Sequence, residues 1–156
     1  MKIPDHIIRF INLEPLVLWA GNIGPEGFCS FVRSAGLSIP EDEDDHLTFY
    51  LTKTYASELL KNLPAGIELS LLVTSLANFE SYQFKGELVS NHGASETEEK
   101  QIQPIIARAL GALEAQGMNA NILPAFVNGP KLGIKLRLRE IFDQTPKQGA
   151  GEIISA

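Results

Sequence analysis

A single cysteine, Cys29, stands among 156 residues, so neither an internal disulfide framework nor a cysteine-based zinc site is open to this chain. Such sparing use suits a reducing compartment. Histidine is nearly as scarce: His6, His46 and His92 lie far apart, and none falls in His-Glu-x-x-His or His-x-Glu spacing. Long apolar runs are missing too. No stretch approaches the roughly 20 residues that span a bilayer, and the start, Met1-Lys2-Ile3-Pro4-Asp5-His6, meets charge too early for the apolar segment of a signal peptide. The expectation is a soluble, cytoplasmic protein that binds no membrane. Ser30, Ser34 and Ser57 sit in no Gly-x-Ser-x-Gly elbow, and there is no phosphate loop and no Gly-x-Gly-x-x-Gly after a strand. Acyl transfer, phosphoryl transfer and dinucleotide binding therefore have no support from motifs.

Positive charge is in short supply. The chain holds 13 basic against 19 acidic residues, for a formal net charge of -6. Five of the acids form one run, Glu41-Asp42-Glu43-Asp44-Asp45, which leaves the rest of the chain close to neutral. Without a basic face, nonspecific nucleic-acid binding is excluded. The run itself reads as a solvated loop, because it lacks the alternating spacing and turn glycine of a calcium loop.

What is present is the pattern of one globular domain over 1–156. At 44% hydrophobic and 21% charged residues, the chain has enough apolar material for a core, and a length near 150 buries about 70% of the extended surface. Ile7, Ile8 and Ile11 put an apolar stripe on a helix over 4–12. Strands are expected over 16–20 and 28–34, joined through Gly21, Gly24, Pro25 and Gly27 as a hairpin, and then over 47–51. Thr54 can cap a helix carrying Leu59, Leu60 and Leu63, stopped by Pro64 and Gly66. Two strands follow, over 67–75 and 79–90. Ser95-Glu96-Thr97-Glu98 is a capping box for a helix with Ile102, Ile105, Ile106, Ala109, Leu110 and Leu113 at helical spacing, ended by Gly117. Pro104 is expected to kink that helix or mark a restart. In the last strand Leu132, Ile134, Leu136 and Leu138 alternate with Lys131, Lys135, Arg137 and Arg139, and 146–151 reads as loop. Antiparallel strands with inserted helices imply a mainly β, α+β barrel rather than a doubly wound sheet.

One constellation carries chemistry. Thr52-Lys53-Thr54 lies between a strand and a helix start, where free amides and the helix dipole favour an anion. Lysine supplies a point charge, the threonine hydroxyls donate hydrogen bonds, and Arg33 on a neighbouring strand offers a planar fork. This set suits a phosphate; a helix cap beside a solvated lysine is the alternative.

These residues resemble the pyridoxamine 5'-phosphate oxidase-like, FMN-binding split-barrel family. The resemblance runs through the hairpin and Ser30 to Gly36, then Thr48-Phe49-Tyr50-Leu51 and the helix after it. It continues in Ser81-Tyr82-Gln83-Phe84-Lys85-Gly86-Glu87-Leu88 and in the ending Phe142-Asp143-Gln144-Thr145-Pro146. It implies a six-stranded antiparallel split barrel with flanking helices, working as a homodimer, with FMN as cofactor in a groove at the dimer interface. It implies that Arg33, beside Ser34, meets the flavin phosphate, that Lys53, between Thr52 and Thr54, is a second phosphate contact, and that Gln83 lies near the flavin. A flavin-dependent oxidoreductase is the activity implied. A non-catalytic module holding flavin, heme or a deazaflavin is the alternative, since no side chain stands out as a proton donor. The only tryptophan is Trp19 and the chain ends Glu152-Ile153-Ile154-Ser155-Ala156, which departs from the tryptophan strand and Arg-Leu-x-Pro terminus of true pyridoxamine phosphate oxidases. Phe28, Phe31, Phe49 and Phe84 supply large apolar surface to divide between core and interface.

Overall fold

The computed structural model describes residues 1–24, 26–60 and 66–156, and the expected helix positions Leu63 and Pro64 and the turn position Pro25 lie outside them. The chain opens with α1 (Asp5–Leu13), then β1 (Leu16–Ile23), β2 (Cys29–Ser34), β3 (Gly36–Ser38) and β4 (His46–Thr52). Helix α2 (Lys53–Leu60) leads to β5 (Glu68–Ser75) and β6 (Ser81–Gly93). A long α3 (Glu96–Ala115), a 3-10 turn (Ala120–Ile122) and a short α4 (Leu123–Val127) precede β7 (Lys131–Asp143) and β8 (Glu152–Ser155).

All pairings are antiparallel, in the order β2-β1-β5-β6-β7-β4-β3, with β8 added to β7. The two ends of this order are consecutive in sequence: only Ala35 separates β2 from β3, and its amide donates to the Tyr50 carbonyl at 2.8 Å. The sheet thus curls round until one interrupted strand serves both edges, which removes the open edges of a flat sheet. The mainly β barrel with flanking helices is as expected, but the strands number eight among the described residues, not six. The chain switches partner from β1 to β4 at Ala35, which splits one strand into two, and the tail returns to pair with β7.

Alternation decides which side chains fill the barrel. Leu18, Ala20, Phe49, Leu51, Leu71, Val73, Phe84, Ile134 and Leu136 point inward and are all but inaccessible. Ile7, Phe10 and Ile11 of α1 and Ala56 and Leu59 of α2 complete the same core. A second cluster lies outside the barrel, where Ile102, Ile106 and Ala109 of α3 and Leu123 and Val127 of α4 cover Ala35 and Tyr50. Helix α3 crosses β3 so closely that a Cβ on Gly36 would stand 2.8 Å from that of Ile102.

Several boundaries differ from expectation for physical reasons. Helix α3 runs unbroken through Pro104 rather than restarting there. Its capping box forms as read, the Glu98 amide donating to Ser95 Oγ at 3.2 Å and the Ser95 amide to Glu98 Oε2 at 2.9 Å. Phe79 belongs to the turn before β6, at φ 62, so that strand starts at Ser81. The acidic loop is only partly solvated: Glu43 reaches Lys135 at 2.7 Å and Asp45 reaches His46 at 2.7 Å. No helix among the described residues is long and apolar enough to cross a membrane.

Candidate functional site

Strand register assembles one lateral row of side chains on the outside of the barrel. Arg33 lies opposite Trp19, Trp19 opposite Leu72, Leu72 opposite Gln83, and Gln83 opposite Phe142. Directly opposed residues share a face, and their sequence neighbours Leu18, Leu71, Phe84 and Ile141 are the inward ones. Arg33 and Gln83 are three strand spacings apart, about 14 Å. The face stays half-exposed: Phe31, beside Arg33, is 69% accessible and Ile153 on β8 is 55% accessible.

Arg33 is the unusual member. Its guanidinium lies 5.5 Å from the centroid of the Trp19 ring, and Trp19 meets Phe31 edge-on at 5.6 Å. The Nε atom is buried with no hydrogen-bond partner, and no carboxylate pairs with the group among the described residues. Burial alone pushes its pKa down to about 10, because a desolvated cation is disfavoured over its neutral form. A stacked aromatic recovers only part of that penalty. An anion at the open end of the guanidinium would meet a cation that has no counter-ion among the described residues.

The Thr52-Lys53-Thr54 segment does arrive beside this strand. Ser34, the last residue of β2, donates its hydroxyl to the Tyr50 carbonyl at 3.0 Å, two residues before Thr52, and α2 packs against both β2 and β4. Helix α2 begins at Lys53, two residues earlier than expected, so Thr54 lies in its first turn rather than capping it. The Lys53 amide donates to the Pro130 carbonyl at 3.0 Å, so this first helical donor is already engaged. The side chains of Lys53 and Thr54 are exposed and Lys53 has no acidic partner among the described residues. Thr52 is buried.

Ser34 is buried and its one proton is shared between the carbonyls of Tyr50 and Gly36, at 3.0 Å each. It holds the barrel's closing strand. Gln83 is fixed at both ends of its amide: it donates to Ser70 Oγ at 2.7 Å and accepts from Gln144 Nε2 at 2.9 Å. Gln144 belongs to the Phe142-Asp143-Gln144-Thr145-Pro146 ending, which also clasps β6 through a 2.8 Å bond from its amide to the Ser81 carbonyl. Trp19, Phe142, Ser70 and Gln144 were not foreseen as part of this face. The signal for Trp19 was present, since it alternates with Leu18 and Ala20 on a strand next to Arg33's.

Taken together, the face offers an unpaired cation backed by an aromatic at one side and a fixed amide ladder about three strands away. That arrangement has the chemistry to receive an anionic group and a flat polar body. No family model matches the chain, and no curated protein matches it either. Among solved structures, the chain resembles an F420 reductase at 14% identity with a TM-score of 0.50, covering 89% of this chain and 98% of that one. A second solved chain matches at 14% identity and a TM-score of 0.53, covering 98% of this chain and 93% of that one. A pyridoxamine 5'-phosphate oxidase-related, FMN-binding protein from Nostoc punctiforme PCC 73102 matches at 13% identity with a TM-score of 0.44, over 97% and 91% of the two chains. The chain therefore shares the fold of the F420 reductase and of the second chain, a split antiparallel β-barrel with flanking helices.

Proposed function

We propose that this protein is a cytoplasmic, homodimeric flavoprotein that binds FMN on the outer face of its barrel and serves as an oxidoreductase. The observation that carries the reading is Arg33, a desolvated guanidinium whose Nε has no partner. A phosphate would accept from that fork, and the exposed Lys53 and Thr54 would approach the same group from the start of α2. Trp19 and the Gln83 amide would flank the flat body of the cofactor, while Ser34 and Thr52 hold the strand ends that carry Arg33 and Lys53. When bound, the flavin supplies electron transfer. The protein's own part is to hold the phosphate, orient the ring and exclude water.

A deazaflavin is the second reading, favoured by the likeness to an F420 reductase. Titration of FMN, riboflavin and F420 against the purified protein, followed by fluorescence, decides between them. FMN quenching at micromolar concentration supports the first; F420 binding without FMN binding supports the second; no response to any flavin up to high micromolar concentration overturns both. Steady NAD(P)H oxidation by the reconstituted protein favours an enzyme, and none across common acceptors favours storage.

Exposed apolar side chains support the dimer. Phe49 and Phe84 are fully buried, whereas Phe28 and Phe31 are 75% and 69% exposed, and with Ile153 they leave apolar surface for a second copy to cover. Sedimentation should give about twice the 17.1 kDa of the chain; a mass near 17.1 kDa at low micromolar concentration refutes it.

A further inference from the structure

A cavity of about 920 Å³ lies away from Arg33, between α1, α3 and the β3–β4 connection. That is within the range of small-molecule sites. Its walls are apolar where α1 and α3 face each other, through Ile8, Ile11, Pro104 and Ile105. Its rim carries Asp5, Glu41 and Asp44, none of which has an ion-pair partner among the described residues. The acidic loop is divided in its duties: Glu43 and Asp45 are held by Lys135 and His46, while Glu41 and Asp44 line the cavity. The cations present do not cancel them. Arg108 is turned to the backbone, donating to the carbonyls of Ile11 and Glu14 at 3.1 Å each, which leaves Lys2 as the free cation lining the cavity among the described residues.

The inner end is polar. Tyr50 and Ser38 share a 2.9 Å hydrogen bond, and Tyr50 donates to Glu98 Oε1 at 3.1 Å, so those groups are engaged with one another. Thr48 is not. It is 6% accessible, lines the cavity, and its hydroxyl has no partner among the described residues. That hydroxyl opens onto the cavity, where a polar atom of a ligand can take the place of water. We infer that this cavity is a binding site for a small protonated amine with an apolar body, its ammonium held by Glu41, Asp44 and Asp5, its body between α1 and α3, and a polar atom at Thr48. The site is separate from the flavin face and the inference stands whether or not FMN binds.

Dansylcadaverine, a fluorescent ring on an alkylammonium chain, is a suitable probe, with the anionic dansyl-aminohexanoate as its charge-reversed counterpart. The ammonium probe should bind with blue-shifted emission and weaken with salt, and the anionic one should not bind. Glu41→Gln and Asp44→Asn, both on the exposed loop, should each weaken the ammonium probe by roughly threefold. Thr48→Val, which keeps the shape and removes the hydroxyl, should weaken it without altering the salt dependence. Equal binding of both dyes, no binding of either, or binding unchanged by Glu41→Gln and Asp44→Asn would overturn the proposal.

Discussion

Replacing Arg33 with methionine should make the unliganded protein more stable, which is the opposite of the usual effect of trimming a partly buried side chain. Burial depresses the pKa of the guanidinium to about 10 from an ordinary 12.5. Taken at face value that shift is worth ~3.4 kcal/mol, at about 1.36 kcal/mol per unit. The outer part of the guanidinium is still reached by water, and solvent screening reduces the figure well below that value. Losing the Trp19 contact removes about 0.5–1 kcal/mol of favourable energy in the other direction. Methionine keeps an unbranched apolar stem against the ring, so the net expectation is a gain of about 1 kcal/mol. For a chain of this size that raises Tm by roughly 2–4 °C. The sign with pH is fixed: a cation whose folded pKa is lowered destabilises the fold at every pH below about 10. The gain should therefore be constant from pH 6 to 9 and fade only as pH rises through that value. Ligand reverses the order. Saturating FMN should raise the melting temperature of wild type and leave Arg33→Met nearly unmoved, while riboflavin, lacking the phosphate, should affect the two alike. If the apo variant is less stable than wild type, or FMN protects both equally, the guanidinium has a structural partner and the phosphate reading fails.

Two further perturbations test the scaffold. Burial raises the Glu98 pKa, but hydrogen bonds from the Ser95 amide, His92, the Ser95 hydroxyl and Tyr50 outweigh it and bring the carboxyl down to about 2 from 4.5. Its stabilisation is thus complete above about pH 4.5 and lost as pH falls towards 2, so Glu98→Gln should cost about 1–2 kcal/mol in urea unfolding at pH 7, after discounting for screening, and little at pH 2.5. An undiminished difference in acid would contradict this. Gly86 sits at a bulge in the β6–β7 pairing, and a Cβ there falls on the Arg137 carbonyl, 2.9 Å from its carbon. Gly86→Ala should therefore lower stability by about 1–3 kcal/mol, read from thermal unfolding, and an unchanged Tm would show that the bulge relaxes freely.

The parts of the fold that could be read in the sequence are those fixed by local chemistry. The Ser95–Glu98 capping box and the positive-φ Gly117 that ends α3 were both visible, because a cap is a bargain between residues three or four apart. The alternation of Leu132, Ile134, Leu136 and Leu138 was visible for the same reason. What escaped depends on distant partners. Strand β3 is three residues long and exists because Gly36 pairs with Tyr50, and β8 exists because its Ile153 lies against Phe142. Ser34 looked like a phosphate ligand from its place beside Arg33, but its hydroxyl is captured by a carbonyl 16 residues away. The candidate site divides along the same line. Arg33, Lys53 and Thr54 could be named from residue type and position, whereas the row that sets Trp19 and Gln83 on Arg33's face is a property of register across four strands.

Charge then separates the two faces of the barrel. Arg33 is a cation with no counter-ion among the described residues, set in a chain whose net charge is -6. Placing it near the acidic loop would have satisfied it and removed its affinity for anything else. Instead the loop's bound carboxylates are matched within their own neighbourhood, Glu43 to Lys135 and Asp45 to His46, while Glu41 and Asp44 face the other cavity. Each proposed site is thus left short of the charge that its proposed ligand would bring. A phosphate dianion is repelled by the carboxylate rim and attracted by the guanidinium, and an alkylammonium experiences the reverse, with salt screening weakening the exposed rim more than the partly buried arginine. A scaffold alone gains nothing from a partly buried cation without a counter-ion. The desolvated guanidinium is a cost in the empty protein, and the proposed phosphate would turn that cost into binding.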